Sequence, residues 1–284
     1  MIIKEKVQQA IGLLKEFNVD CWITFTRESG INGDPTLDFL LTSDVTWHSA
    51  IIITSSGKSC AIVGKYDKKM VEDIGAYDEV VAYVTGFREP FFNFMKTINP
   101  NKIAVNYSKD SEIADGLPHG MFLLLQELLG ELDMQDRLIS AEPIVSALRQ
   151  RKTQAELNNI KEAIRITLDI YNIVYSFIKP GKTENEIADF IRSKVDAMGL
   201  KYAWEPKMCP SVFSGPDTAE AHYTPTGRLV QEGHILNMDF GVKYNDYCSD
   251  LQRTVYILKK GETKAPPEVQ KGFDTIVKSI EESR

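Results

Sequence analysis

Two aspartates, Asp239 and Asp250, stand eleven residues apart in the stretch NMDFGVKYNDYCSDLQRT at 237–254. Carboxylates are the side chains that hold hard divalent cations. Both flanks of the stretch have strand character, and Lys243-Tyr244-Asn245-Asp246 between them has turn composition. A four-residue loop closed by a Val242–Tyr247 pair makes the two aspartates direct cross-strand neighbours, about 5 Å apart on one face. Two carboxylates that close repel by about 3 kcal/mol at an effective dielectric of about 20. A divalent cation between them turns that repulsion into coordination. The same spacing also fits two solvated aspartates, or a hairpin of another register, since Asx residues are common near turns.

Upstream, His222 sits in a Pro/Gly-rich loop just before the Asp239 strand. A lone loop histidine is usually an ordinary surface residue. The wider pattern is more specific: His222, Pro225, Arg228, Leu229 and Gly233, then Asp239-Phe240-Gly241, then Tyr247-x-Ser249-Asp250-x-x-Arg253-Thr254. It resembles the pita-bread metallopeptidases, which include methionine aminopeptidases, aminopeptidase P and prolidase, with creatinase as a metal-free relative. Lys152-Thr-Gln-Ala-Glu156-Leu157 resembles the entry to that catalytic domain, and Pro180-Gly181-x-Thr183-Glu184-x-Glu186 its inter-helix turn. Residues 1–150 resemble the N-terminal domain of the aminopeptidase P, prolidase and creatinase branch. The preceding domain argues against a simple methionine aminopeptidase and the aspartates against creatinase, which leaves an Xaa-Pro peptidase.

The resemblance implies metal-dependent hydrolysis of Xaa-Pro bonds, as an Xaa-Pro dipeptidase or aminopeptidase P. Two divalent ions (Mn, Co or Zn) are implied, with Asp239 chelating one and Asp250 bridging both. His222 takes the catalytic role of hydrogen-bonding the substrate or its tetrahedral intermediate. Tyr247, Arg253 and Thr254 are weaker candidates that line or support the site. The implied partner is a proline-containing peptide, whose scissile tertiary amide has no N–H, and the implied assembly is a homodimer. His48, His119 and His234 match no family site and read as structural.

The family needs five metal ligands, the later ones a histidine and two glutamates. No histidine follows His234, and Glu262, Glu268, Glu281 and Glu282 lie in no ligand motif. The expectation is therefore a chain holding only the first half of the pita-bread domain. Its metal sites would be empty or weakly occupied, and the chain alone inactive. A non-catalytic pita-bread binding protein and a creatinase-type amidinohydrolase are the alternatives.

Around these residues, the 284-residue chain carries a net charge of −7, which gives no footprint for nucleic acid. No apolar run reaches the length of a membrane span. Four scattered cysteines without a Cys-x-x-Cys pair suit reduced thiols in a cytoplasm. The expected fold is α/β: an N-terminal mixed-sheet domain over 1–150 and a partial α+β pita-bread domain over 151–284. Val7, Ile11, Leu14 and Phe17 form a helical stripe, and 20–26, 49–54, 59–63, 79–84 and 102–107 read as strands. Helices are expected at 67–73, 121–132 and 144–148, then as a long one ending at Pro180-Gly181. Thr183 and Glu186 have capping-box spacing and open the next helix, to about Met198. Strands then run to Tyr256, and a last amphipathic helix starts near Pro267.

Overall fold

The computed structural model describes residues 2–216 and 223–283. The chain folds as two compact units, Met1–Ala155 and Glu156–Arg284. The division falls in the first turn of the long helix, a few residues beyond the polar stretch at 149–152.

In the first unit the elements are α1 (Ile2–Glu16), β1 (Cys21–Thr26), β2 (Ser49–Thr54), β3 (Ser59–Gly64), α2 (Lys68–Ile74) and β4 (Glu79–Tyr83). They continue with α3 (Arg88–Ile98), β5 (Ile103–Val105), α4 (His119–Gly130), β6 (Leu138–Ser140) and α5 (Glu142–Gln150). The six strands form one mixed sheet in the order β4-β3-β2-β1-β5-β6. β1 runs antiparallel to β2 and parallel to β5. Every residue of β1, β2 and β3 is buried, as expected of strands covered on both faces. Trp22 joins one core with Val7, Leu14 and Leu148, while Ile23 and Phe25 join the other with Phe91 and Leu125. This is the three-layer α/β arrangement. α3 lies between the β4 strand and the Asn99-Pro100-Asn101 break, in a segment for which the sequence pattern names no element. Pro90 sits in its first turn, where a missing N–H breaks no helical bond.

The second unit continues with α6 (Gln154–Phe177), α7 (Glu184–Ala197), β7 (Lys201–Tyr202), β8 (Ser211–Ser214) and β9 (Ile235–Phe240). After these come β10 (Val242–Tyr244), β11 (Tyr247–Cys248), β12 (Leu251–Tyr256) and α8 (Pro267–Glu282). The capping box forms: the Thr183 hydroxyl accepts from the Glu186 amide, and the Glu186 carboxylate accepts from the Thr183 amide. The strands make two three-stranded sheets, β11-β10-β7 and β12-β9-β8. Leu236, Met238 and Phe240 of β9 face a core shared with Ile170, Tyr171, Val174 and Ile191 of the two helices. No helix among the described residues is long and apolar enough to cross a membrane.

Candidate metal centre

The hairpin that carries the aspartates is tighter than the turn composition suggests. Tyr244 pairs with Tyr247 and Lys243 with Cys248, so the loop is Asn245-Asp246 alone. Both loop residues have positive φ, 46° and 66°, which is the geometry of a two-residue type I′ turn and one that Asn and Asp tolerate. The register is therefore two residues away from the expected one. Asp239 pairs with Gln252, not with Asp250. Cys248 is exposed and pairs with Lys243.

A shift of two preserves side-chain parity, so both aspartates stay on one face. Asp250 sits one pleat away from Asp239, and the two carboxyl groups lie within hydrogen-bonding reach. Asp239 is half-buried and its Oδ1 has no hydrogen-bond partner. Burial, then the Asp250 charge, then the contact between the two carboxyls raise its pKa above the ordinary carboxylate range. An unsatisfied, partly desolvated carboxylate pressed against a second carboxylate is a site short of positive charge. The oxygen chemistry fits a hard divalent cation, and Asp239 and Asp250 are the residues that would hold it. Among the described residues no third His, Cys, Asp or Glu completes a cluster with them.

The other predicted residues separate by face. Thr254 pairs with Asn237 and lies on the Asp239 face, exposed. Arg253 pairs with Met238 on the core face, where its guanidinium stacks 5.7 Å from the Tyr171 ring. Tyr247 also turns away from the aspartates, its hydroxyl donating to Glu156 Oε1 at 3.1 Å. Strand alternation alone assigns those sides. His222 lies outside the described residues.

Residues 158–283 match the model of metallopeptidase family M24. Over those residues the second unit is similar to that family. The chain is 28% identical over 256 residues to a candidate Xaa-Pro aminopeptidase of Mycoplasma genitalium, a match covering 90% of this chain and 65% of that protein. It is 35% identical over 136 residues to a counterpart in Mycoplasma pneumoniae, covering 48% of this chain and 36% of that protein. The chain thus spans about two thirds or less of these relatives' lengths. The Xaa-Pro dipeptidase from Bacillus anthracis shares the fold, with TM-score 0.65 and 19% identity over 95% of this chain and 68% of that one.

Two buried side chains hold the second unit's acidic hairpin and the segment that leads into it from position 223. Tyr171 of α6 donates its hydroxyl to Leu251 O at 2.7 Å and Met238 O at 3.1 Å, tying β12 and β9 to the helix behind the aspartates. Burial pushes its pKa far up, so it remains a donor. Glu184, which the sequence shows only as part of the inter-helix motif, is fully buried at the start of α7. It accepts from the Ser214 amide, the Tyr223 hydroxyl, and the amide and hydroxyl of Thr226, at 2.7–3.0 Å. This one carboxylate fixes β8 and the segment that follows position 222.

Removing one charge should separate folding from metal binding. Because the folded pKa of Asp239 is raised, the folded chain holds this proton more tightly than the unfolded chain does. Its contribution is fully present below the unfolded pKa and declines as pH rises through the raised value. Asp239→Asn is accordingly expected to stabilise the metal-free chain at neutral pH by about 0.5–1 kcal/mol, Asp250 being exposed and its charge screened. Urea melts at pH 7 and pH 4 check this: the gain should shrink at the lower pH.

Proposed function

We propose that this M24 domain belongs to a metal-dependent hydrolase of Xaa-Pro peptide bonds, an Xaa-Pro dipeptidase or aminopeptidase P. The observation that supports it is the convergence of Asp239 and Asp250 on one sheet face with a buried carboxylate oxygen left unpaired. When bound, divalent cations supply Lewis acidity and lower the pKa of water. The chain's own part is to hold two carboxyl groups at short range on one face of the hairpin. His222, by resemblance, would hydrogen-bond the substrate or its tetrahedral intermediate. Manganese, cobalt and zinc are the proposed cations, and a proline-containing peptide in a cytoplasmic setting the proposed substrate.

With two carboxylates as its described ligands, the 284-residue chain is expected to bind manganese weakly and to show no Xaa-Pro turnover by itself. Isothermal calorimetry with manganese or cobalt, beside an Xaa-Pro cleavage assay, tests both statements. Any Xaa-Pro cleavage by a polypeptide that contains this domain should stop with Asp239→Asn. Cleavage that survives Asp239→Asn and a chelator would overturn the proposal.

Homodimerisation belongs to the same proposal. Phe273, Ile276 and Ile280 of α8 are each at least half exposed, and this helix has no buried residue. Contiguous apolar surface of this kind drives association. Light scattering should show self-association at tens of micromolar or above, and Phe273→Ser with Ile276→Lys should reduce it. A clean monomer for the unsubstituted chain would count against the dimer.

A further inference from the structure

We infer that the carboxamide oxygen of Asn237 is a third oxygen donor to the cation held by Asp239 and Asp250, an inference that rests on the metal-centre reading above. Asn237 lies two residues before Asp239 on β9, so strand alternation puts both side chains on one face. Its strand neighbours are Phe213 on β8 and Thr254 on β12. Its Oδ1 is buried and accepts no hydrogen bond. Among the described residues four buried side-chain atoms lack a partner: His48 Nε2, Gln135 Oε1, Asn237 Oδ1 and Asp239 Oδ1. Two of the four are neighbouring oxygens on one face of one strand, which points to one shared missing partner rather than two separate defects.

The chemistry of that partner is constrained. Both unsatisfied atoms are oxygens, and an ionised carboxylate offers no donor to an amide oxygen. The missing group must therefore donate or carry positive charge. The two carboxyls lie within reach of each other, so one cation can serve all three groups, where a neutral donor to Asn237 leaves the Asp239 oxygen unpaired. Adjacent same-face residues on a strand are about 6.6 Å apart at Cα. Two side-chain oxygens reaching toward each other across that gap can share an ion with metal–oxygen distances of about 2.1–2.6 Å, directly or through one coordinated water. Asn237 thus adds an oxygen without adding charge, and it pays in folding stability when no ion is present.

The test is manganese binding to the full 284-residue chain, followed by electron paramagnetic resonance and by water-proton relaxation, with apo melts alongside. Asn237→Leu removes the oxygen at similar volume. It is expected to weaken manganese binding by about tenfold while leaving the apo melting temperature unchanged or higher, and to alter the number of exchangeable waters on the ion. Asn237→Asp keeps the shape, adds charge, and is expected to tighten binding and lower the apo melting temperature. Asp239→Asn serves as the reference variant. Manganese affinity unchanged in Asn237→Leu but reduced in Asp239→Asn would overturn the role of Asn237 alone, as would weaker binding by Asn237→Asp. No manganese binding by the unsubstituted chain, or affinity unaltered in Asp239→Asn, would overturn the metal centre itself and this inference with it.

Discussion

Gly241→Ala is expected to destabilise the second unit by about 3 kcal/mol or more and to abolish manganese binding together with folding. A Cβ at position 241 would lie 1.9 Å from the Ser249 carbonyl oxygen and 2.9 Å from the Ala203 side chain. The first of these is backbone, so no rotamer change relieves it. The strands would have to part where Ser249 N bonds Val242 O at 3.0 Å and the Ser249 hydroxyl accepts from Val242 N at 3.0 Å. That hydroxyl also meets Thr167 of α6 at 2.7 Å, so the disturbance reaches the helix. Asp250 follows Ser249, and Asp239 stands two residues before Gly241; parting the strands there separates the carboxylates. Urea denaturation followed by the second unit's signal measures the loss. A variant as stable as the unsubstituted chain would show that the strands do not approach so closely.

Glu184→Ala should have an effect of similar size for a different reason. Its carboxylate is fully buried yet satisfied four times over, and truncation leaves the Ser214 amide, the Tyr223 hydroxyl and two Thr226 groups without an acceptor. Breaking a buried charged network from one side costs about 3–5 kcal/mol. Glu184→Gln keeps the shape but replaces one acceptor oxygen with a donor that faces donors, so an intermediate loss is expected. Limited proteolysis should cut between 223 and 228 earlier in both variants than in the parent. Denaturation midpoints unchanged in Glu184→Ala would refute the role given to this carboxylate.

The sequence made most elements legible because their periodicities are strong. The apolar runs in 20–26, 49–54 and 59–63, the capping box at Thr183 and Glu186, and the Pro180-Gly181 stop all lie where the structure puts them. The hairpin register was harder. Lys243 and Tyr244 look like turn residues, and only the left-handed tolerance of Asn245 and Asp246 marks the shorter turn. The carboxylates still meet because the discrepancy is even; an odd one would have turned Asp250 to the core face. Tyr247 and Arg253 were drawn in by motif adjacency, although their positions on the strands already assign them to the helices. Gln252 and Asn237, the cross-strand and same-strand neighbours of Asp239, carry no motif signal. Glu184 stands in the inter-helix motif, but its burial is not legible there because a glutamate at a helix start is ordinarily solvated; that burial depends on donors from β8 and from residues 223 and 226, distant in sequence.

The two-residue reversal at Asn245-Asp246 has a temporal meaning as well. Loop closure over about ten residues takes roughly 10–100 ns, and hairpins zip in roughly 1–10 μs. On a ribosome, the acidic couple can therefore first encounter one another once β12 has emerged, before α8 has been synthesised. An ion captured at that moment would act as a clasp on the nascent hairpin, biasing the strands toward their final alignment while the remaining polypeptide is still arriving.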